Sequence, residues 1–196
     1  MKQLLSKLES LLNRAGYRTN YFLSEGLDED KIRLDASFLP EEAVQLFCWR
    51  NGMRTESRLE TLGRSWFFSF GYLLSFEECN DLFKTKSYLG YSSKFTPTMF
   101  PLFASGGGEL YFVECDPKLL SFRQIFYFTL AEVEVDELVS KYDSLTHFID
   151  MVNECYETGT YFFDEERNFC CKYEEEIEIG LKINTRSEYW KALSQV

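Results

Sequence analysis

The residues of this 196-residue chain with the widest chemical scope are one histidine, six cysteines, a triple glycine and several late clusters of acids. His147 has Asp143, Asp150, Met151 and Glu154 at three-, four- and seven-residue spacings along a helical segment. One imidazole among water-facing carboxylates is a poor transition-metal set, so a polar helix face is the expectation. A Cys–His nucleophile pair would need hydrogen-bond reach. Cys155 lies eight residues beyond His147, about 12 Å at 1.5 Å rise per residue, which is too far. The cysteines (Cys48, Cys79, Cys115, Cys155, Cys170, Cys171) lack CxxC spacing and mostly sit in apolar runs such as LFCWR and FVEC. They read as reduced, buried thiols of a cytoplasmic protein. Cys170 and Cys171 would point to opposite faces of a strand and could not jointly clamp a metal. Gly106, Gly107 and Gly108 lead into the strand-like ELYFVEC, without the lysine and helix of a phosphate loop, and so predict a tight hairpin. The DEERN turn at 164–168 lacks the spacing, glycine and distal Glu of an EF-hand. These readings predict no catalytic group, metal or cofactor.

Binding is the remaining chemistry. The formal charge is −11, and acids gather at 132–137 (EVEVDE), 164–166 (DEE) and 174–178 (EEEIE). Such a field repels nucleic acid and anionic membrane and attracts basic proteins. Most of these charges read as a solvated face, with one or two clusters able to dock a partner. Aromatic residues make up 17% of the chain. The groups at 66–70, at Tyr88 and Tyr91, and at 161–163 are expected mainly to fill the core, with some rings exposed for contact. No basic stripe accompanies them, which disfavours nucleic-acid stacking. No apolar stretch is long enough for a signal peptide or a membrane span.

Elements to position these residues can be read from periodicity. Leu4, Leu5, Leu8, Leu11 and Leu12 place a helix over 2–15, stopped at Gly16. An edge strand is expected at 17–22. Pro40 lies near the first turn of a helix over 41–50, which Asn51–Gly52 would end. The run WFFSFGYLL at 66–74 reads as a strand, and SFEE at 75–78 as a capping box opening a helix. Strands follow at 99–103, starting beside Pro101, and at 109–114, 124–129 and 132–135. A helix from Ser144 stops before Gly159. Segments 161–163 and 168–172 form a second hairpin, and a capping box at 185–188 opens a terminal helix. Strands clustered between helices without βαβ alternation indicate one α+β domain with a twisted, mostly antiparallel sheet.

Several words in this order carry a resemblance. They are LPEEAVQLFCWRNG at 39–52, FGYLLSFEECNDLF at 70–83, PLFASGGGELYFVE at 101–114, YDSLTHFIDMVNECYETGTYFFDE at 142–165 and INTRSEYW at 183–190. Together they resemble the SUKH superfamily, which includes the fungal Smi/Knr cell-wall regulators and many bacterial immunity proteins. The match runs from Phe38 onward and is weaker over 1–37. In the family an acid or amide commonly follows the glycines; here Glu109 stands in that place. The resemblance implies an α+β fold with no shared enzymatic activity, and a non-catalytic immunity protein that neutralises a cognate, basic protein toxin. An intracellular regulator or scaffold of the Smi/Knr type is the alternative. The expected partner surface combines acids at strand ends, Glu109, Glu114, Glu132, Glu134 and Asp136, with Tyr111 as an aromatic anchor.

Overall fold

The computed structural model describes residues 1–54, 64–69, 71–129 and 138–195. Helix α1 (Lys2–Arg14) buries Leu5, Leu8, Leu11 and Leu12 on one face and gives way to Gly16 at φ +87°. The next segment is not the expected edge strand. Thr19 and Phe22, three residues apart, both turn inward on a single helical turn, α2 (Thr19–Phe22), and only then does β1 (Leu23–Glu25) begin. Helix α3 (Glu29–Asp35) starts with Asp28 accepting the Asp30 N–H. Helix α4 (Glu41–Trp49) has Pro40 as its N-cap residue.

Strand β2 (Arg50–Met53) pairs antiparallel with β1, so Asn51 and Gly52 lie within a strand just beyond the helix. Their role is to join that strand to the next helix. The Asn51 side chain accepts the Phe76 N–H at 2.8 Å and donates to Glu77 at 3.0 Å. Gly52 sits at φ +77°, and a Cβ there would lie 2.3 Å from the Ser75 nitrogen. The capping box predicted at Ser75 and Glu78 forms and opens α5 (Phe76–Thr85).

Among its described residues, the run at 66–74 yields only β3 (Tyr72–Leu73) and a Phe68–Gly71 bridge. Consecutive Phe67 and Phe68 pack into the same core, whereas a strand would send them to opposite faces. Strands β4 (Met99–Ala104), β5 (Leu110–Glu114) and β6 (Ile125–Phe128) appear where periodicity places them. The strand expected at 132–135 lies outside the described residues, and β7 (Val139–Tyr142) supplies the fifth strand. The order β3-β4-β5-β6-β7 is antiparallel throughout. The triple glycine makes the β4–β5 turn, with positive φ at Gly106 and Gly108. Pro101 adjoins a register shift in β4, where a missing N–H is tolerated.

Helix α6 (Leu145–Thr158) ends at Gly159 with φ +73°. The hairpin of β8 (Tyr161–Phe163) and β9 (Phe169–Cys171) follows. Periodicity did not predict α7 (Tyr173–Ile183). Its acids occupy the first turn, where the helix dipole favours them, and Glu176 and Gly180 turn inward one turn apart. The terminal helix α8 (Glu188–Leu193) is capped by Ser187, which accepts the Trp190 N–H, and not by Thr185. The main core lies between the helices and one sheet face. A smaller core of Tyr88, Phe95, Met99, Phe112, Phe128 and Leu138 covers the other face.

Candidate functional site

The expected partner residues separate in the fold. Glu109 follows the glycine turn, and its carboxylate accepts from the Ser105 hydroxyl of the same turn, which in turn accepts the Gly107 N–H at 2.9 Å. Glu114 and Tyr111 correct the expectation, because both are fully buried. The Glu114 carboxylate accepts from Thr96 at 2.5 Å, Thr98 at 2.6 Å and the Asp116 N–H at 2.9 Å, fastening the loop before β4 to the end of β5. Tyr111 points into the main core and donates to the Ser69 carbonyl. Strand alternation explains the error: on a sheet covered on both faces, neither set of side chains reaches water. Glu132, Glu134 and Asp136 lie outside the described residues.

Two of the three acid clusters lie on the β8–β9 hairpin and α7, one at the hairpin turn and the other where the helix begins beyond the opposite end of the hairpin. Thr160 donates to Glu175 at 2.9 Å, and Tyr161 and Cys171 both donate to the buried Glu176, the thiol at 3.3 Å. These bonds fix the helix against the hairpin. Outward from this joint, Glu165, Glu166, Glu174 and Glu178 are exposed and enter no ion pair among the described residues. Phe162 on β8 and Tyr173 at the start of α7 are 41% and 49% exposed. Acid-flanked, partly exposed rings on a rigid unit are the composition of a protein-binding surface. Phe162 belongs to the aromatic group at 161–163, from which some exposed rings are expected, whereas Tyr173 is not anticipated by the sequence because α7 is not.

The most unusual group in the interior was not legible in the sequence. Between β6 and β7 the register moves from Ile125–Tyr142 to Phe126–Ser140, leaving Lys141 as the extra residue of a bulge. A bulge re-aims side chains, and this one sends the Lys141 ammonium into the main core with 1% of the residue exposed. Its Nζ lies 4.2 Å from the ring centre of Tyr189, 4.7 Å from Tyr127, and 5.3 Å from both Tyr111 and Trp190. It also approaches the Tyr111 hydroxyl at 3.5 Å. Burial pulls its pKa down to about 8, against the opposing pull of Glu176, Cys171 and Glu109. Such an amine has the acidity of a carbonyl-directed nucleophile. The ring walls seal it, however, and the neighbouring cavity of about 300 Å³ is lined by Trp66, Ser69, Phe169, Cys171, Tyr173 and Glu176 without Lys141. The cage ties α8 to the sheet through cation–π attraction.

The remaining reactive groups are similarly engaged. Ser144 and His147 face each other at 2.8 Å, but the Ser144 hydroxyl also accepts the His147 backbone N–H as the cap of α6. In the adjoining cavity of about 410 Å³, Glu42 is held by Arg123 and Thr146, and Asp143 accepts the Arg186 N–H. Burial raises the thiol pKa of Cys48, Cys115, Cys155 and Cys171, the last to about 12, so these sulfurs stay protonated at neutral pH. No helix among the described residues is long and apolar enough to cross a membrane.

Fold and site together define an α+β domain with a five-stranded antiparallel sheet and an acidic, aromatic hairpin–helix surface. No protein-family model matches the chain, and no curated protein matches it.

Proposed function

We propose that this chain is a non-catalytic binding protein of SUKH type that captures a basic protein toxin through its acidic surface, as an immunity protein does. The observation that carries the reading is that the hairpin and helix, braced to each other, carry exposed carboxylates at Glu165, Glu166, Glu174 and Glu178 and two exposed rings, Phe162 and Tyr173. Fixed negative charge accelerates encounter with a basic partner, and the two rings supply apolar area at the centre of the contact. A nuclease-type toxin, whose own surface is built to receive a polyanion, is the partner chemistry this field complements. Neutralisation would be stoichiometric and steric, in the cytoplasm, without turnover or cofactor.

The test is affinity capture with tagged protein from cells of the native host, with the bound chains identified by mass spectrometry. A stoichiometric basic partner carrying a toxin domain is the expected result. A varied set of housekeeping proteins would reject immunity and favour the regulatory scaffold.

A further inference from the structure

A second surface has the opposite electrostatic character. A cavity of about 240 Å³ opens between the α1–α2 junction, the segment at 64–69 and the β8–β9 turn, and three arginines line it: Arg18, Arg64 and Arg167. They stand in a chain of net charge −11. Arg33, Arg50, Arg123 and Arg186 each form an ion pair with a carboxylate, whereas among the described residues these three, like Arg14 and Arg54, form none. Three acids share the turn with Arg167: the exposed Glu165 and Glu166, and Asp164, whose carboxylate accepts the Asn168 backbone and side-chain N–H groups at 2.8 and 3.0 Å and feels the Arg64 charge.

The guanidiniums are positioned by the fold. Arg18 lies over the Tyr21 ring at 4.3 Å. Arg64 Nε donates to Asn168 Oδ1 at 3.4 Å, which leaves its terminal nitrogens uncommitted. Arg167 holds φ +66°, a left-handed backbone that is costly for a side chain of this kind and so marks the turn as a place to look for function. The walls between them are aromatic, with Tyr17 and Phe163 at 5.7 Å between ring centres. The Tyr17 hydroxyl is already spent on the Ser65 carbonyl, so that wall offers ring and not donor.

The geometry points to a binding site for a small phosphate monoester carrying a flat ring, of mononucleotide size. Planar guanidinium forks match phosphate oxygens, and a ring body suits the Tyr21–Phe163 walls. At about 240 Å³ the cavity lies just below the usual ligand range, which starts at about 300 Å³, so only a small ligand suits it. A long polyanion is disfavoured by Glu165 and Glu166 in the same turn as Arg167. The site shares the β8–β9 turn with Glu165 and Glu166 of the acidic surface, but its ligand and its test do not depend on toxin capture.

The experiment is calorimetric titration of the full chain at low ionic strength with adenosine monophosphate, adenosine and inorganic phosphate in parallel. The monophosphate is expected to bind about tenfold or more tightly than either fragment, and Arg18→Ala with Arg167→Ala to weaken it by about tenfold or more. Arg64→Lys, which keeps the charge and loses the fork, should also weaken it. Arg33→Ala, whose partners are Glu29 and Glu41, should not. No heat from the folded chain with the monophosphate, equal affinity for inorganic phosphate, or undiminished binding by the arginine variants would each overturn the assignment.

Discussion

Lys141 and Glu114 are both fully buried, yet they act on stability with opposite sign. The Lys141 pKa is lowered from 10.5 to about 8. The unfolded chain therefore holds a proton that the folded chain releases between those values, and the lysine's contribution to stability rises with pH across that window. Below about pH 8 both states are protonated and the burial penalty is present in full. The buried thiols and tyrosines, with pKa values raised by burial, work the other way: the unfolded chain ionises first, so stability falls as pH climbs. Lys141→Met separates the terms. The wild-type stability minus that of Lys141→Met, from urea unfolding, should rise by about 1 kcal/mol between about pH 7 and about pH 9. A flat difference would mean that the aromatic cage restores the ordinary ammonium pKa. Glu114 is the contrasting case, since removing its carboxylate strands Thr96, Thr98 and the Asp116 N–H. Glu114→Ala should cost about 2–4 kcal/mol in the same assay, whereas a surface contact residue would cost almost nothing.

At the level of elements, two glycines measure how closely neighbouring segments approach. A Cβ at Gly180 would lie 2.5 Å from the Trp190 ring, the ring that α8 lends to the Lys141 cage. Gly180→Ala should therefore push α8 off α7 and lose about 1–3 kcal/mol by thermal or urea unfolding. Gly90→Ala, with open space around its Cβ position, should change stability little. Most of the elements themselves were legible. Helix periodicity at Leu5, Leu8, Leu11 and Leu12, the Ser75 capping box and the glycine turn are local signals, and the structure obeys them. The misreadings came where tertiary packing decides. Phe67 and Phe68 look like strand residues, but both find pockets in the core. The acid run at 174–178 looks like a charged surface tract, yet its buried Glu176 serves Tyr161 and Cys171 and anchors a helix. The site suffered most, because a covered second sheet face hides Glu114 and a register shift aims Lys141, and neither is written in local spacing. Asn51 and Gly52, part of the family-like words, prove to be a joint between β2 and α5.

Across the whole molecule, charge is distributed unevenly. Carboxylates of the hairpin turn and α7 are exposed, as are Phe162 and Tyr173, while the arginines at 18, 64 and 167 line a cleft that meets the same turn. The proposed capture of a basic toxin rests on the first of these surfaces. It is tested most directly by the association rate of the captured partner with wild-type protein and with a variant carrying Glu165→Gln, Glu166→Gln, Glu174→Gln and Glu178→Gln. These side chains are exposed and without ion pairs among the described residues, so the variant should fold as the wild type does. The account predicts a steep fall of the wild-type on-rate with salt, and an on-rate for the variant that is slower at low salt by about tenfold or more and less steeply dependent on ionic strength. Equal on-rates for the two proteins at low salt would contradict it and place the partner contact on another face of the domain.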